Sequence, residues 1–130
     1  MPLVRIDLAR GKPAQYRRQL GDIIYRAMTE VINVPQHDKF QIITEHAPDD
    51  LNVTPGYLGI QYSPAVVQIQ ITLSQGRTVE QKMAFYKRVA ADLQRELGLD
   101  PQDVFINLVE TTRENWSFGN GVAQYVAQAA

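Results

Sequence analysis

The sequence predicts an α+β fold made of α/β-type units: two βαβ units in tandem, forming a four-stranded mixed sheet with two helices on one face. Two observations predict it. Short segments of alternating apolar and polar residues flank two long segments whose apolar residues recur at three- and four-residue spacing. The order then repeats. Arg10-Gly11-Lys12 returns 65 positions later as Gln75-Gly76-Arg77, and Pro35-Gln36-His37-Asp38 returns as Pro101-Gln102-Asp103. Met1-Pro2-Leu3-Val4-Arg5-Ile6 is echoed by Ser63-Pro64-Ala65-Val66-Val67-Gln68-Ile69. Two copies of about 65 residues are too few for a solenoid, which needs three or more. The 130 residues are expected to form one domain, with repeat 1 over 2–47, repeat 2 over 64–110 and a C-terminal segment over 111–130 that has no counterpart in the first copy.

Taken in order, Leu3 to Leu8 is a half-buried strand, with Val4, Ile6 and Leu8 on one face and Leu3, Arg5 and Asp7 on the other. Arg10-Gly11-Lys12 makes the turn. From Pro13 to about Ile32, the residues Tyr16, Leu20, Ile23, Ile24, Ala27, Val31 and Ile32 form the apolar stripe of a helix that tolerates Pro13 in its first turn and ends before Pro35. Phe40 to Glu45 alternates as a strand. A turn-rich stretch from Pro48 to Gly56 leads to a short strand at Tyr57 to Tyr62. In the second copy, Val67, Ile69, Ile71 and Leu73 alternate with Gln68, Gln70 and Thr72. A helix from Thr78 to Leu97 then carries Val79, Met83, Tyr86, Val89, Ala90, Leu93 and Leu97, and a strand covers Val104 to Val109. The face opposite the helices is expected to carry Arg5, Asp7, Gln68, Gln70 and Asn107.

Composition narrows the function. A net charge of -1 gives no basic surface for nucleic acid or anionic membrane. The absence of cysteine excludes disulfides, thiolate nucleophiles and Cys-based metal sites. No apolar run approaches the length of a membrane span, and no charged-then-apolar leader precedes the first strand, so the expected location is the cytoplasm.

Chemistry concentrates where the two copies meet. Removal of Met1 leaves Pro2 as a secondary amine anchored by a strand; the alternative is an idle proline. Thr78 is a good N-cap, and Gln81 completes a capping-box pattern. With Arg77, that helix start makes a corner for a carboxylate, whose two oxygens match the guanidinium fork; alternatively, Arg77 is a solvated turn residue. Asp38 is either a turn aspartate or a carboxylate that holds the proline amine cationic. His37 and His46 lack metal-ligand spacing, so no metal site is expected. The glycines form neither a P-loop nor a dinucleotide fingerprint. Trp116 and Phe118 are core or interface aromatics, or pocket walls.

Together these residues resemble the tautomerase superfamily, and within it the malonate semialdehyde decarboxylase branch. The resemblance rests on Pro2-Leu3, Val34-Pro35 with Asp38 and Gln41, Ala65-Val66-Val67, Glu80-Gln81-Lys82, Phe85-Tyr86-Lys87, Leu108-Val109-Glu110 and Trp116-Ser117-Phe118-Gly119. It implies a tautomerase-like fold, a homotrimer and a cofactor-independent site with Pro2, Asp38 and Arg77 as catalytic residues. Arg77, Gln75, Trp116, Phe118 and Tyr125 would contact a small 3-oxo or unsaturated carboxylic acid. The family pattern has two arginines at the strand–helix turn; here the first position is Gln75, which leaves one neutral donor in place of a charge.

The implied reaction is decarboxylation of malonate semialdehyde to acetaldehyde and carbon dioxide, with hydration of an activated unsaturated acid as a side activity. The rivals are a tautomerase, an unsaturated-acid hydratase or dehalogenase of the same superfamily, and an oligomeric scaffold in which Pro2 is inert.

Overall fold

The computed structural model describes residues 2–127. Its main sheet holds β1 (Leu3–Ala9), β2 (Gln41–His46), β5 (Val67–Ser74) and β6 (Val104–Thr111) in the order β2-β1-β5-β6. β2 lies parallel to β1 and β6 parallel to β5, while β1 and β5 run antiparallel with Ile6 opposite Ile69. Each parallel pair is joined through one long helix, α1 (Ala14–Val31) or α2 (Val79–Leu97), as the repeated βαβ pattern requires. Near the end of the chain lies α3, a short helix over Gln124–Ala127.

Alternation decides the two faces of the sheet. Val4, Ile6, Leu8, Val67, Ile69, Ile71 and Leu73 are buried against Leu20, Ile24, Ala27 and Met28 of α1 and Phe85, Val89 and Leu93 of α2. Gly21 lets α1 approach β2: a Cβ there would collide with Gln41, whose Nε2 donates to the Gly21 carbonyl at 2.8 Å. No helix among the described residues is long and apolar enough to cross a membrane.

The capping box of α2 is complete. Gln81 N–H donates to Thr78 Oγ1 at 3.1 Å, and Thr78 N–H donates to Gln81 Oε1 at 2.9 Å. At the other end Gly98 takes the left-handed conformation (φ 68°) and donates to the Gln94 carbonyl. Thr78→Ala is expected to cost about 1 kcal/mol of stability, read from the midpoint of a urea melt.

One expected strand is instead a hairpin. Between Tyr57 and Tyr62 lie β3 (Gly56–Tyr57) and β4 (Ile60–Gln61), paired with each other and separate from the main sheet. Leu58 and Gly59 both have positive φ (52° and 81°), which suits the two-residue turn between twisted strands. That turn breaks the run that alternation reads as continuous.

The helix-free face carries the expected Arg5, Asp7, Gln68, Gln70 and Asn107, and Gln70 Nε2 donates to Asn107 Oδ1 at 3.0 Å. It is more apolar than expected. Leu3, Phe40, Ile42, Phe105 and Val109 are exposed at 37–46%. By register Ile42 shares a cross-strand row with Arg5, Gln70 and Asn107, Phe105 shares one with Asp7 and Gln68, and Leu3 and Val109 share one with Thr72. His46 Nε2 lies 2.6 Å from Asp7 Oδ1 at the end of β1.

Candidate active site

Register brings the separated candidates to one end of the sheet. Leu3 pairs with Thr72, so Pro2 follows beside Leu73, next to the turn Gln75-Gly76-Arg77 of the same protomer. Pro2 is buried. Because β2 is parallel to β1, the segment leading into β2 reaches the same end: Val4 N–H donates to the Phe40 carbonyl at 2.9 Å, and Asp38 lies two residues before it. His37 takes a left-handed conformation (φ 74°), and its N–H donates to Tyr25 Oη at 2.7 Å. These contacts fix the turn that presents Asp38.

Arg77 is not a freely solvated turn residue. Its Nε donates to the Ile32 carbonyl at 2.9 Å and its Nη1 to the Ser74 carbonyl at 3.0 Å, which ties the C-terminal end of α1 to the turn before α2. Nη2 and the second hydrogen of Nη1 still form an edge that can meet both oxygens of a carboxylate. Gln75 is exposed, and its backbone N–H donates to the Thr111 carbonyl at 2.9 Å. Its side chain lines a cavity of about 370 Å³ together with Ser74, Thr111, Thr112, Arg113 and Glu114.

The C-terminal segment folds back as an aromatic wall. Trp116 stacks on Phe118 with centroids 5.6 Å apart, and Phe118 meets Tyr125 edge-on at 5.1 Å. Trp116 Nε1 donates to Thr111 Oγ1 at 2.8 Å, which in turn donates to the Leu73 carbonyl at 3.2 Å, so the wall is fastened to the sheet beside Pro2. Gln124 closes the loop by accepting from Phe118 N–H and donating to the Gly119 carbonyl, both at 2.9 Å.

Charges converge on Tyr125. Burial pushes its phenol above the usual range, Asp38 pushes the same way, and Arg113 and Arg77 pull it back. The phenol thus feels the expected carboxylate and the expected arginine at once. Among the described residues no hydrogen bond joins Pro2, Asp38 and Arg77 directly; the cavity beside the Gln75–Arg77 turn is lined by Ser74, Gln75 and Thr111 to Glu114 and by none of those three.

Arg113 is the cation that sequence reasoning missed. Its guanidinium lies 5.5 Å from the Tyr125 ring centre, in cation–π range, and it lines the cavity with Gln75. No motif marks it. The available signal was topological: β6 runs parallel to β5, so residues just past β6 emerge beside the Gln75–Arg77 turn.

Known proteins agree with this architecture. The chain matches the family described as "Tautomerase enzyme" over residues 38–119, and a second family of the same description over residues 2–60. It is 40% identical to the probable tautomerase YusQ of Bacillus subtilis (strain 168), covering 97% of this chain and 99% of that protein. Among solved structures, a malonate semialdehyde decarboxylase with decarboxylase and hydratase activities superposes with a TM-score of 0.90 at 33% identity, covering 98% of both chains. The FG41 malonate semialdehyde decarboxylase inhibited by 3-bromopropiolate superposes with a TM-score of 0.89 at 38% identity, over 98% of this chain and 97% of that one. With the fold, the end of the sheet that gathers Pro2, Asp38 and Arg77, and sequence identity along nearly the whole chain all in agreement, the chain belongs to the tautomerase family of enzymes.

Proposed function

We propose that the protein decarboxylates malonate semialdehyde to acetaldehyde and carbon dioxide without a cofactor, using Pro2 as a cationic N-terminal amine. What supports this reading is the register that brings the start of β1, the segment holding Asp38 and the turn holding Arg77 to one end of the sheet, together with 33–38% identity to two malonate semialdehyde decarboxylases.

Arg77 holds the substrate carboxylate through its open Nη edge, and Gln75 adds a neutral hydrogen bond. Anchored there, the bond to the carboxylate carbon can stand perpendicular to the carbonyl plane. Breaking that bond releases carbon dioxide and leaves its electron pair as an enolate, whose oxygen the Pro2 ammonium stabilises by hydrogen bonding. A proton passed from the Pro2 ammonium, which solvent then restores, adds to the terminal carbon and completes acetaldehyde. Asp38 favours the charged proline. The Trp116–Phe118–Tyr125 wall excludes water and strengthens each charge–charge contact. Water oriented by Asp38 gives hydration of an activated unsaturated acid as a side activity.

A second reading is tautomerisation of an enol acid. The name of the relative YusQ favours it, and so does Gln75, which leaves the turn with a single cation. A tautomerase needs Pro2 neutral, so its rate rises with pH through the amine's titration, whereas the decarboxylase rate falls. The deciding experiment is a product assay with malonate semialdehyde on protein of verified N-terminal mass. Acetaldehyde formation supports decarboxylation, and its absence beside turnover of an enol acid selects the second reading.

Arg77→Ala is expected to raise KM for the carboxylate roughly tenfold or more, the scale of one hydrogen bond to a charged group, with a smaller change in kcat. Steady-state kinetics on folded variant protein checks this.

The assembly implied by the resemblance is a homotrimer. The exposed apolar residues Leu3, Phe40, Ile42, Phe105 and Val109 on the helix-free face support burial of that face between protomers.

A further inference from the structure

We infer that Ser74 is a positioning residue for the Pro2 amine: its hydroxyl accepts a hydrogen bond from the cationic proline once Met1 has been removed. This rests on the reading of Pro2 as a free amine.

The Ser74 main chain is held in place at the end of β5. Its carbonyl accepts from Arg77 Nη1 at 3.0 Å. The residues on either side are tied to Thr111, through Thr111 Oγ1 to the Leu73 carbonyl and Gln75 N–H to the Thr111 carbonyl. The hydroxyl alone is left over. Among the described residues, Ser74 Oγ is the buried side-chain polar atom that has no hydrogen-bond partner. A buried hydroxyl without a partner is unfavourable, and in a native site it calls for a functional account.

Its position supplies one. The β1–β5 register pairs Leu3 with Thr72, so one step back Pro2 faces Leu73. The Pro2 nitrogen is on the side of that residue away from Leu3, which is the side of Ser74. The same residue lines the cavity shared with Gln75 and Arg113. A hydroxyl here can accept from the ammonium and direct its own hydrogen toward the cavity.

The internal duplication provides a comparison within the molecule. Arg10 and Gln75 hold matching places: Arg10 N–H donates to the His46 carbonyl at 2.8 Å, and Gln75 N–H donates to the Thr111 carbonyl at 2.9 Å. Gly11 and Gly76 follow them with φ of 123° and 131°. At the same spacing the counterpart of Ser74 is Ala9, which lines a cavity with Arg10 and Pro64. Pro64 is an internal proline whose nitrogen carries no proton. The first copy thus lacks a hydroxyl at this place, and Pro64, 62 residues after Pro2 rather than 65, offers no amine there.

A hydroxyl that accepts from the ammonium favours the charged form, so removing it lowers the amine's pKa. The test follows the Pro2 nitrogen by NMR in ¹⁵N-proline-labelled protein of verified N-terminal mass, through a pH titration. Ser74→Ala is expected to lower the Pro2 midpoint by about one unit, the scale of one charge-assisted hydrogen bond. Ser74→Thr, which keeps the hydroxyl, is expected to hold the wild-type midpoint. The alkaline limb of the pH–rate profile should move with the NMR midpoint. An unchanged midpoint in Ser74→Ala overturns the role of Ser74 and leaves the cationic Pro2 reading intact. A Pro2 nitrogen that does not titrate in the wild type overturns both. Ser74→Ala removes one hydroxyl and at most one hydrogen bond and leaves the apolar core untouched, so the variant folds well enough to be measured.

Discussion

Pro2→Ala is expected to lower kcat for malonate semialdehyde by roughly 100- to 10,000-fold, the range that a positioned acid–base group contributes. Alanine still offers an amine, but a primary one on a freer chain end. Proline carries its nitrogen in a ring whose position is set by burial of Pro2, by the Leu3–Thr72 pair and by the hydrogen bond from Val4 to Phe40. Small displacements of a reacting group are enough to remove much of its effect. A companion sample with Met1 retained should be equally inactive, because Pro2 nitrogen is then a tertiary amide with neither basicity nor a proton. Both are read in the acetaldehyde assay after mass analysis of the N-terminus, with circular dichroism to show that the fold is kept. Wild-type turnover in either sample contradicts the mechanism, since no other residue in the scheme stabilises the enolate oxygen.

Much of the fold was legible because the βαβ unit occurs twice. Alternation placed Val4, Ile6 and Leu8 against the helices, the three- and four-residue spacing placed Leu20, Ile24 and Ala27, and the repeat brought Pro2 to the Gln75–Arg77 turn. These are local periodicities, which a linear pattern records. Contacts between distant segments leave no such trace. Arg113 joins the site only because β6 ends beside β5, and Ser74 stands out only once its neighbours' hydrogen bonds have been assigned. Arg77 read as a turn cation, and its two bonds to the Ile32 and Ser74 carbonyls depend on where α1 ends. The helix-free face read as polar because alternation selected Arg5, Gln68 and Gln70, while Phe40, Ile42 and Phe105 from other strands supplied its apolar part.

The largest stability effect is expected at Asp92, away from the chemistry. This carboxylate is buried at 1% exposure in the seam between α1 and α2. It accepts from Arg88 Nε at 2.8 Å, Arg95 Nη2 at 2.7 Å and Arg26 Nη2 at 3.2 Å, the last from the opposite helix. Arg88 also reaches Glu30 at 2.5 Å, and Arg26 reaches Glu96, so Arg26 crosses the seam to Asp92 and Glu96 while Arg88 crosses it the other way to Glu30. Burial alone pushes the Asp92 carboxyl up, but the hydrogen bonds from Arg88, Arg95 and Arg26 outweigh it and hold the group below the usual carboxylate range. Asp92→Ala leaves three guanidiniums facing an apolar gap. Removing one member of a buried ion pair costs about 3–5 kcal/mol, and the partial exposure of the arginines, at 34–63%, places this case near the lower end. Urea melts at fixed protomer concentration should show the drop, with Asp92→Asn intermediate because it keeps the volume and one acceptor. The pH dependence is a second signature. A carboxyl held low in the folded state contributes stability above its unfolded pKa, near 3.9, and loses that contribution as pH falls through the lower folded value. The wild type should therefore lose stability on acidification more steeply than Asp92→Asn, and parallel curves would show that the arginine cluster does not hold the two helices together.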